Sequence, residues 1–296
     1  MWEVRDVMDG WKDWFSWFEL GDWFEAGFQW LRATFSWLWS FIGTVLQGAY
    51  DAVEGALNFP PSLVVMVILG ILGFLAKSWQ LAAFSVVTFL LIDLMNQWAA
   101  AMQTLALVAV AVLAAVVMAI PIGIAMARSN VVSGAVRPVL DLMQTMPALV
   151  YLIPAVLMFR VGVVPGIVAT IIFAMPPGIR LTELGIRQVD SEVVEAGHAF
   201  GSPPNRILRQ IQLPLALPSI MAGVNQVIML ALSMTVLAGF VGGPGLGQQV
   251  LRALSRFDIG LGFEAGLSVV FLAIYLDRVT AALGARSSVT RLAKAA

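Results

Sequence analysis

The sequence has 296 residues, of which 60% are hydrophobic and 12% are charged, and its formal net charge at pH 7 is −1. A soluble globular protein carries about twice that charged fraction, and several apolar runs reach the ~20 residues that cross a bilayer, so the composition excludes a soluble domain and predicts a polytopic membrane protein. The absence of cysteine excludes disulfides and cysteine metal sites, one histidine leaves no histidine cluster for a metal, and no basic patch with interleaved aromatic residues indicates nucleic-acid binding.

An aromatic tail, residues 1–59, precedes the apolar runs. It contains eight of the ten tryptophans, and its first 58 residues carry nine acidic side chains against three basic ones. Its large apolar residues recur at helical spacing, first as Trp11, Trp14, Phe15 and Phe18 and then as Phe24, Phe28, Leu31, Phe35, Leu38 and Ile42. This pattern predicts amphipathic helices that lie on membrane lipid, on the outer side because the tail is acidic. An aromatic cage for a quaternary ammonium ligand is the alternative.

Seven apolar spans follow Pro60-Pro61 and predict an all-α membrane protein. In chain order they are Ser62–Ala76, Trp79–Met95, Trp98–Ala127, Asp141–Phe159, Val163–Ile179, Ser219–Phe240 and Ala265–Leu283. The first two, within residues 60–97, are predicted to be accessory helices. The last five are predicted to form a transport core over residues 98–283, which includes a polar loop at 181–217, and residues 284–296 form a basic tail.

The lysine and arginine residues predict the orientation of these spans. Most of them fall on one side of the arrangement: Lys77, Arg128, Arg137, Arg180, Arg187, Arg206, Arg209, Arg278, Arg286, Arg291 and Lys294. An excess of lysine and arginine in short loops marks the cytoplasmic side. The N-terminus is therefore predicted outside, and the C-terminus and the polar loop are predicted in the cytoplasm.

The polar segment between the fifth and sixth spans, Leu181–Pro218, carries helix signals. Asp190 or Ser191 can cap a first helix over residues 192–200, and Gly201 is a natural stop. The signals of the second half are an N-cap at Ser202 with a first-turn proline at Pro203, a helix end at Gln210, and chain-breaking prolines at Pro214 and Pro218. Two short helices joined by a glycine turn form a compact unit that transmits a displacement.

One motif in this segment resembles a known family. Glu195-Ala196-Gly197 is followed by Gly201 and then by Ile211-x-Leu213-Pro214. This spacing resembles the "EAA" coupling loop of permease subunits in binding-protein-dependent ABC importers, with Gly197 where a second alanine is usual. The stretches Asn225–Met234 and Gly242–Gln248 resemble the glycine betaine/proline betaine branch of that family. The coupling residues that the resemblance marks are Glu195, Ala196, Gly197, Gly201, Ile211, Leu213 and Pro214.

The resemblance implies a type I ABC importer permease core, in which two copies of the chain form the pathway. It also implies cytoplasmic ATPase subunits, which bind ATP and Mg and receive the coupling loop, and an external substrate-binding protein. The sequence has no Gly-x-x-x-x-Gly-Lys-Ser/Thr motif, so no cofactor and no catalytic residue are predicted on this chain. Three alternatives stay open: Glu195 as a solvated helix residue, Ile211, Leu213 and Pro214 as buttresses of the loop, and His198 as a pH sensor rather than a loop residue.

The translocation path is predicted along the sixth span, at Asn225, Gln226, Met229 and Ser233. The last three share one helical face, and a neutral polar face suits a zwitterion; ordinary interhelical hydrogen bonding is the alternative. Charged residues are expected only near span ends, at Asp93, Asp141, Arg160 and Glu264. A tight glycine turn at Gly243–Gly247 is expected at the outer mouth, where it either contacts the binding protein or is purely structural.

The predicted function is that of the permease subunit of an ATP-driven importer of betaine-type osmoprotectants. Two other functions remain open at this stage. One keeps the ABC architecture and changes the solute to an amino acid, choline or another small metabolite. The other is a self-contained ion-coupled transporter or osmotically gated channel, which needs no ATPase partner.

Overall fold

The computed structural model describes residues 20–285, and within that range the chain is helical with no strand. It divides after Thr44 into two compact units. In the first unit, α1 (Leu20–Thr34) and the beginning of α2 (Ser36–Asn58) carry the large apolar residues from Phe24 to Ile42, apart from Phe35 in the turn between them, so the helices predicted from their spacing are confirmed. The earlier residues of that pattern, from Trp11 to Phe18, lie outside the described residues.

The second unit begins within α2 and continues with two apolar helices, α3 (Ser62–Ala76) and α4 (Trp79–Leu94). The axes of α2 and α3 are bent by 103° across the Pro60-Pro61 break. A proline disfavours helical backbone at the residue before it, so two consecutive prolines end α2 where the sequence predicts the end of the tail.

The next segment departs from the predicted fourth span. After α5 (Trp98–Arg128), α6 runs over Asn130–Thr145, and the chain restarts as a 3-10 turn (Ala148–Tyr151) followed by α7 (Leu152–Phe159). The two halves are bent by 110°, so the segment predicted as one span at Asp141–Phe159 is not one continuous helix. Pro147 accounts for the break, because it holds Met146 in an extended conformation with φ −72° and ψ 135°.

The remaining helices follow without a long loop. They are α8 (Val163–Arg187), α9 (Ser191–Ala199), α10 (Pro204–Ile207), a π-helical turn (Leu208–Gln212), α11 (Leu213–Ala238), a 3-10 turn (Gly239–Val241), α12 (Leu246–Arg256) and α13 (Ile259–Ala285). The segment after α11 therefore contains a helix, α12, as well as the predicted glycine turn.

Four helical segments of the described residues are long and apolar enough to cross a membrane. They are Trp98–Arg128, Val163–Arg187, Pro204–Val241 and Ile259–Ala282, and the number rises to six if each bent pair is one span. Helix α4 is apolar but shorter. The chain is thus a multi-pass membrane protein, while seven crossings and the sides of the two termini stay predictions.

The core of the second unit forms where α8 packs between α5 and α11. Its fully buried large side chains include Met102, Leu107, Ile167, Met234 and Leu246. Small residues let the helices approach closely: a Cβ added at Gly123 would lie 2.6 Å from Thr182 Cβ, and one added at Gly185 would lie 2.7 Å from Ser219 Cβ. Close backbone approach at small residues is a main source of helix association in lipid, so these contacts hold the frame that carries the site.

Candidate functional site

Helix α9, the predicted coupling helix, has the ends that the sequence predicts. The carboxylate of Asp190 caps it by accepting a hydrogen bond from the Glu192 backbone N–H at 2.9 Å. At the other end, Gly201 adopts φ +75°, its N–H donates to His198 O at 2.8 Å, and the Ser202 N–H donates to Gly197 O at 3.1 Å. This pair of bonds around a left-handed glycine is a Schellman motif, which satisfies the last carbonyls of the helix.

Gly197 seats α9 on the chain that follows it. It is buried, and a Cβ added there would lie 3.0 Å from Ile211 Cδ1 and 3.3 Å from Ile207 Cγ1. Glu195 and Ala196 lie on the exposed part of the same helix. The first three motif residues therefore differ in exposure. Gly197 faces inward, whereas Glu195 and Ala196 are accessible to a partner.

The second half of the segment differs from its prediction. Ser202 gives no side-chain cap, since Pro203 occupies the N-cap position of α10, and no helix ends at Gln210. Helix α10 instead continues through the π turn, in which Leu213 N–H donates to Leu208 O, into α11. Pro214 lies in the first turn of α11 and Pro218 lies inside it. Pro214 has no backbone N–H to donate, and the longer i→i+5 bond of the π turn accommodates the resulting change in hydrogen-bond register. The predicted chain break is therefore absent.

Leu213 connects the motif to the helices of the second unit. It packs against a cluster formed by Ile186, Leu208, Ala216 and Ile220, which also receives apolar side chains from the end of α5. Ile211 contacts Gly197 instead. These placements agree with the buttress interpretation of Ile211 and Leu213, and they leave the contact between Glu195 and a partner as a prediction.

Residues 181–187, predicted as part of the polar loop, are the last turns of α8. They contain Glu183, which the sequence analysis did not select and which is 4% exposed. Its Oε1 accepts hydrogen bonds from Ser133 Oγ at 2.7 Å and from Arg137 Nη2 at 3.0 Å, and it forms an ion pair with Arg187 Nε at 2.9 Å. A sequence signal for this site was available, because Glu183 and Arg187 are four residues apart, as are Ser133 and Arg137, and residues at this spacing lie on one face of a helix.

A second ion pair joins the same helices at their exposed edge. Arg180 Nη2 on α8 donates to Asp141 Oδ1 on α6. Together with Arg137, Glu183 and Arg187 this pair lines a cavity of about 310 Å³. With three guanidinium groups and two carboxylates, the lining has a formal charge of +1.

The predicted path residues separate into two groups. Gln226, Met229 and Ser233 lie on an exposed face of α11. Asn225 turns toward α13, where its Nδ2 donates to Asp277 Oδ1 at 2.9 Å. Asp277 lies inside the candidate span Ile259–Ala282, so the expectation that charged residues occur only near span ends is wrong for this helix.

The glycine turn after α11 is held in place by contacts within the protein. Gly242 and Gly245 have φ of +81° and +109°, and the Leu246 N–H donates to Thr104 Oγ1 on α5 at 2.8 Å. A Cβ added at Gly239 would lie 2.5 Å from the carbonyl carbon of Gly247. The turn thus has a structural role, and its contact with a binding protein stays a prediction.

His198 is exposed on α9 and lies one turn after Glu195. Among residues 20–285, no three side chains of the histidine, aspartate and glutamate types are grouped as a metal site would require. The ion pairs Arg137–Glu183 and Arg180–Asp141 each join two helices.

Comparison with known proteins shows that most of the chain, including the segment that contains α9, matches one family. The model of the family described as "Binding-protein-dependent transport system inner membrane component" matches residues 119–289. The glycine betaine transport system permease protein OpuAB of Bacillus subtilis (strain 168) is 45% identical over 261 residues, covering 88% of this chain and 93% of that protein. The glycine betaine/carnitine transport permease protein GbuB of Listeria monocytogenes is 47% identical over 257 residues, covering 86% and 91%.

A third relative and a solved structure extend the comparison. The glycine betaine/proline betaine transport system permease protein ProW of Escherichia coli (strain K12) is 45% identical over 262 residues, covering 86% of this chain and 74% of that protein. An inward-facing structure of the MetNI methionine ABC transporter superposes with a TM-score of 0.55 at 20% identity, over 64% of this chain and 92% of the compared chain. The two chains therefore share a fold.

Proposed function

The chain belongs to the family of binding-protein-dependent transport system inner membrane components, and we propose that it is the permease subunit of an ATP-driven importer of glycine betaine and related betaine osmoprotectants. It is a multi-pass protein of the inner membrane. Relatives that are 45% to 47% identical over most of the chain are named for glycine betaine transport, and this likeness favours a betaine over an amino acid.

The observation that carries the mechanical part of the proposal is the way α9 is capped and packed. A nine-residue helix alone is unstable in water, yet α9 is capped at both ends and seated through Gly197. Its outer part presents Glu195 and Ala196 to solvent. We assign these residues to contact with a separate ATPase subunit, which binds ATP and Mg, while an external binding protein delivers the solute and a second copy of the chain completes the pathway.

The physical requirement for transport is a difference in affinity. ATP binding to the ATPase subunits shifts the permease between inward-open and outward-open states only if the two states hold the ATPases differently. Because α9 is rigid, it moves as one body. Its position in each state therefore determines how that state holds the ATPases, and this supplies the difference in affinity. Gln226, Met229 and Ser233 then line a path that needs no tight solute site.

The test is uptake of radiolabelled glycine betaine by vesicles that contain the chain, its ATPase and its binding protein. We expect uptake to require ATP, and Glu195→Arg to lower uptake at least about tenfold while the amount of inserted protein is unchanged, since juxtaposed like charges at an interface cost several kcal/mol and about 1.4 kcal/mol is a factor of ten. Asp51→Arg, the same reversal at an exposed residue of α2, is the matched control. Uptake by the chain alone without ATP would refute the proposal.

A further inference from the structure

The buried carboxylate of Glu183 joins α6 to α8 at the base of the coupling helix. It accepts hydrogen bonds from Ser133 and Arg137 on α6 and forms an ion pair with Arg187 on α8, all within 3.0 Å. We call these four residues, Ser133, Arg137, Glu183 and Arg187, the Glu183 node. A carboxylate that is 4% exposed is strongly disfavoured without partners, so the node resists separation of the two helices.

Arg187 extends the node to a third helix. Its Nη2 donates to Met126 O in the last turn of α5 at 2.7 Å, and its Nη1 donates to Asn130 Oδ1, on the first residue of α6, at 2.9 Å. The last carbonyls of a helix have no partner within the helix and attract cations. One guanidinium therefore holds the end of α5, the beginning of α6 and the end of α8 together.

The node lies directly beside the coupling helix in the chain. Arg187 is the last residue of α8, and Asp190, which caps α9, follows three residues later. The neighbouring Ile186 belongs to the same apolar cluster as Leu208 of the π turn. A displacement of α9 thus reaches α8 through a very short connection and through this apolar cluster.

On its other side the node holds one end of α6. The far end of α6 meets the 110° bend at Met146-Pro147, where the Tyr151 hydroxyl donates to Met143 O. Helix α6 is thus fastened at both ends, by the node and by this hydrogen bond, and a rotation at the node changes the position of the bend.

We propose that the Glu183 node is the joint that transmits a displacement of α9 to α6 and to the bend at Met146-Pro147. Glu183 and Arg187 are positioning residues, and the inference rests on the proposed function, in which ATPase subunits move α9. Breaking the node uncouples α6 from the displacement of α9. Helix α9 itself remains formed, because it has its own caps and its own packing contact at Gly197.

The test follows two distances in the reconstituted transporter, using spin labels on introduced cysteines, since the native chain has none. Labels at Val193 on α9 and Val131 on α6, which are 42% and 82% exposed, are each paired with a reference label at Leu94, which is 70% exposed. In the unmodified chain we expect ATP to change both distances. In Glu183→Gln we expect ATP to change the Val193 distance and to leave the Val131 distance unchanged.

Uptake per ATP hydrolysed is the second measurement. We expect it to fall about two- to thirtyfold in Glu183→Gln, the range found for residues that modulate coupling between sites. A merely structural role would lower uptake and hydrolysis together and leave their ratio unchanged. Asp141→Asn, which breaks the exposed pair with Arg180 between the same two helices, is the control and should retain the original ratio.

Two results would overturn the inference: an ATP-dependent change of the Val131 distance in Glu183→Gln, or an unchanged ratio of uptake to hydrolysis. If Glu183→Gln fails to assemble, Ser133→Ala replaces it, because it removes one hydrogen bond and retains both ion pairs; an unchanged ratio then overturns the inference. Failure of the proposed function is distinct, since ATP would then move neither label in the unmodified chain.

Discussion

Replacing Gly197 tests whether close packing seats the coupling helix. Alanine there gains about 1 kcal/mol of helix propensity over glycine, and its Cβ, 3.0 Å from Ile211 Cδ1, displaces the end of one flexible side chain at about 0.5–1.5 kcal/mol. We expect Gly197→Ala to change the stability of α9 by less than about 1 kcal/mol. Gly197→Leu adds three more carbons between Ile207 and Ile211, and overpacking of this kind destabilises by about 1–3 kcal/mol.

Hydrogen exchange of the backbone amides in residues 192–200 measures this difference in the purified protein. A loss of 1–3 kcal/mol corresponds to exchange that is about 5- to 150-fold faster in Gly197→Leu, whereas Gly197→Ala should remain close to the original rate. Ala196→Leu is the matched control, because it places the same side chain on the exposed side of α9. Equal exchange rates in Gly197→Leu and Ala196→Leu would refute the seating argument.

Two further contacts have measurable consequences. Thr104→Val leaves the buried Leu246 N–H without its acceptor and should destabilise the detergent-solubilised protein by about 1–3 kcal/mol; Thr104→Ser, which keeps the hydroxyl, should melt near the original temperature, and equal melting of both variants would contradict this role. A double-mutant cycle with Asn225→Leu and Asp277→Leu should give a coupling energy of about 0.6–1.7 kcal/mol between α11 and α13, and strictly additive effects would rule out the bond.

The ends of α9 could be predicted from the sequence because their signals are local. An aspartate before the helix and a glycine after it act on backbone groups a few residues away. Of the two cap candidates, Asp190 forms the cap, and the predicted stop at Gly201 is confirmed, with a positive φ. The break at Pro214 and Pro218 was also a local inference, and it was wrong. The π turn before Pro214 removes the clash without ending the helix, and a sequence pattern does not reveal such a change of register.

The Glu183 node could not be predicted in the same way, because its partners are distant in the sequence. Ser133 and Glu183 are separated by 50 residues, and Arg187 and Met126 by 61. The charges near Glu183 indicate a loop when they are read locally, yet each finds a partner on another helix and α8 continues to Arg187. The bond between Asn225 and Asp277, 52 residues apart, depends on tertiary structure for the same reason.

The spacing Ile-x-Leu in the motif has a geometric explanation in this structure. Residues two apart on a helical turn point to nearly opposite sides, and Ile211 accordingly contacts Gly197 of α9, while Leu213 packs against the cluster that contains Ile186 and Leu208. The turn is therefore packed between the coupling helix and the transport core. Because packed interiors leave little free volume, a displacement of α9 in the proposed mechanism pushes directly on this turn. The motif thus specifies how α9, which carries Glu195, is packed against the membrane helices.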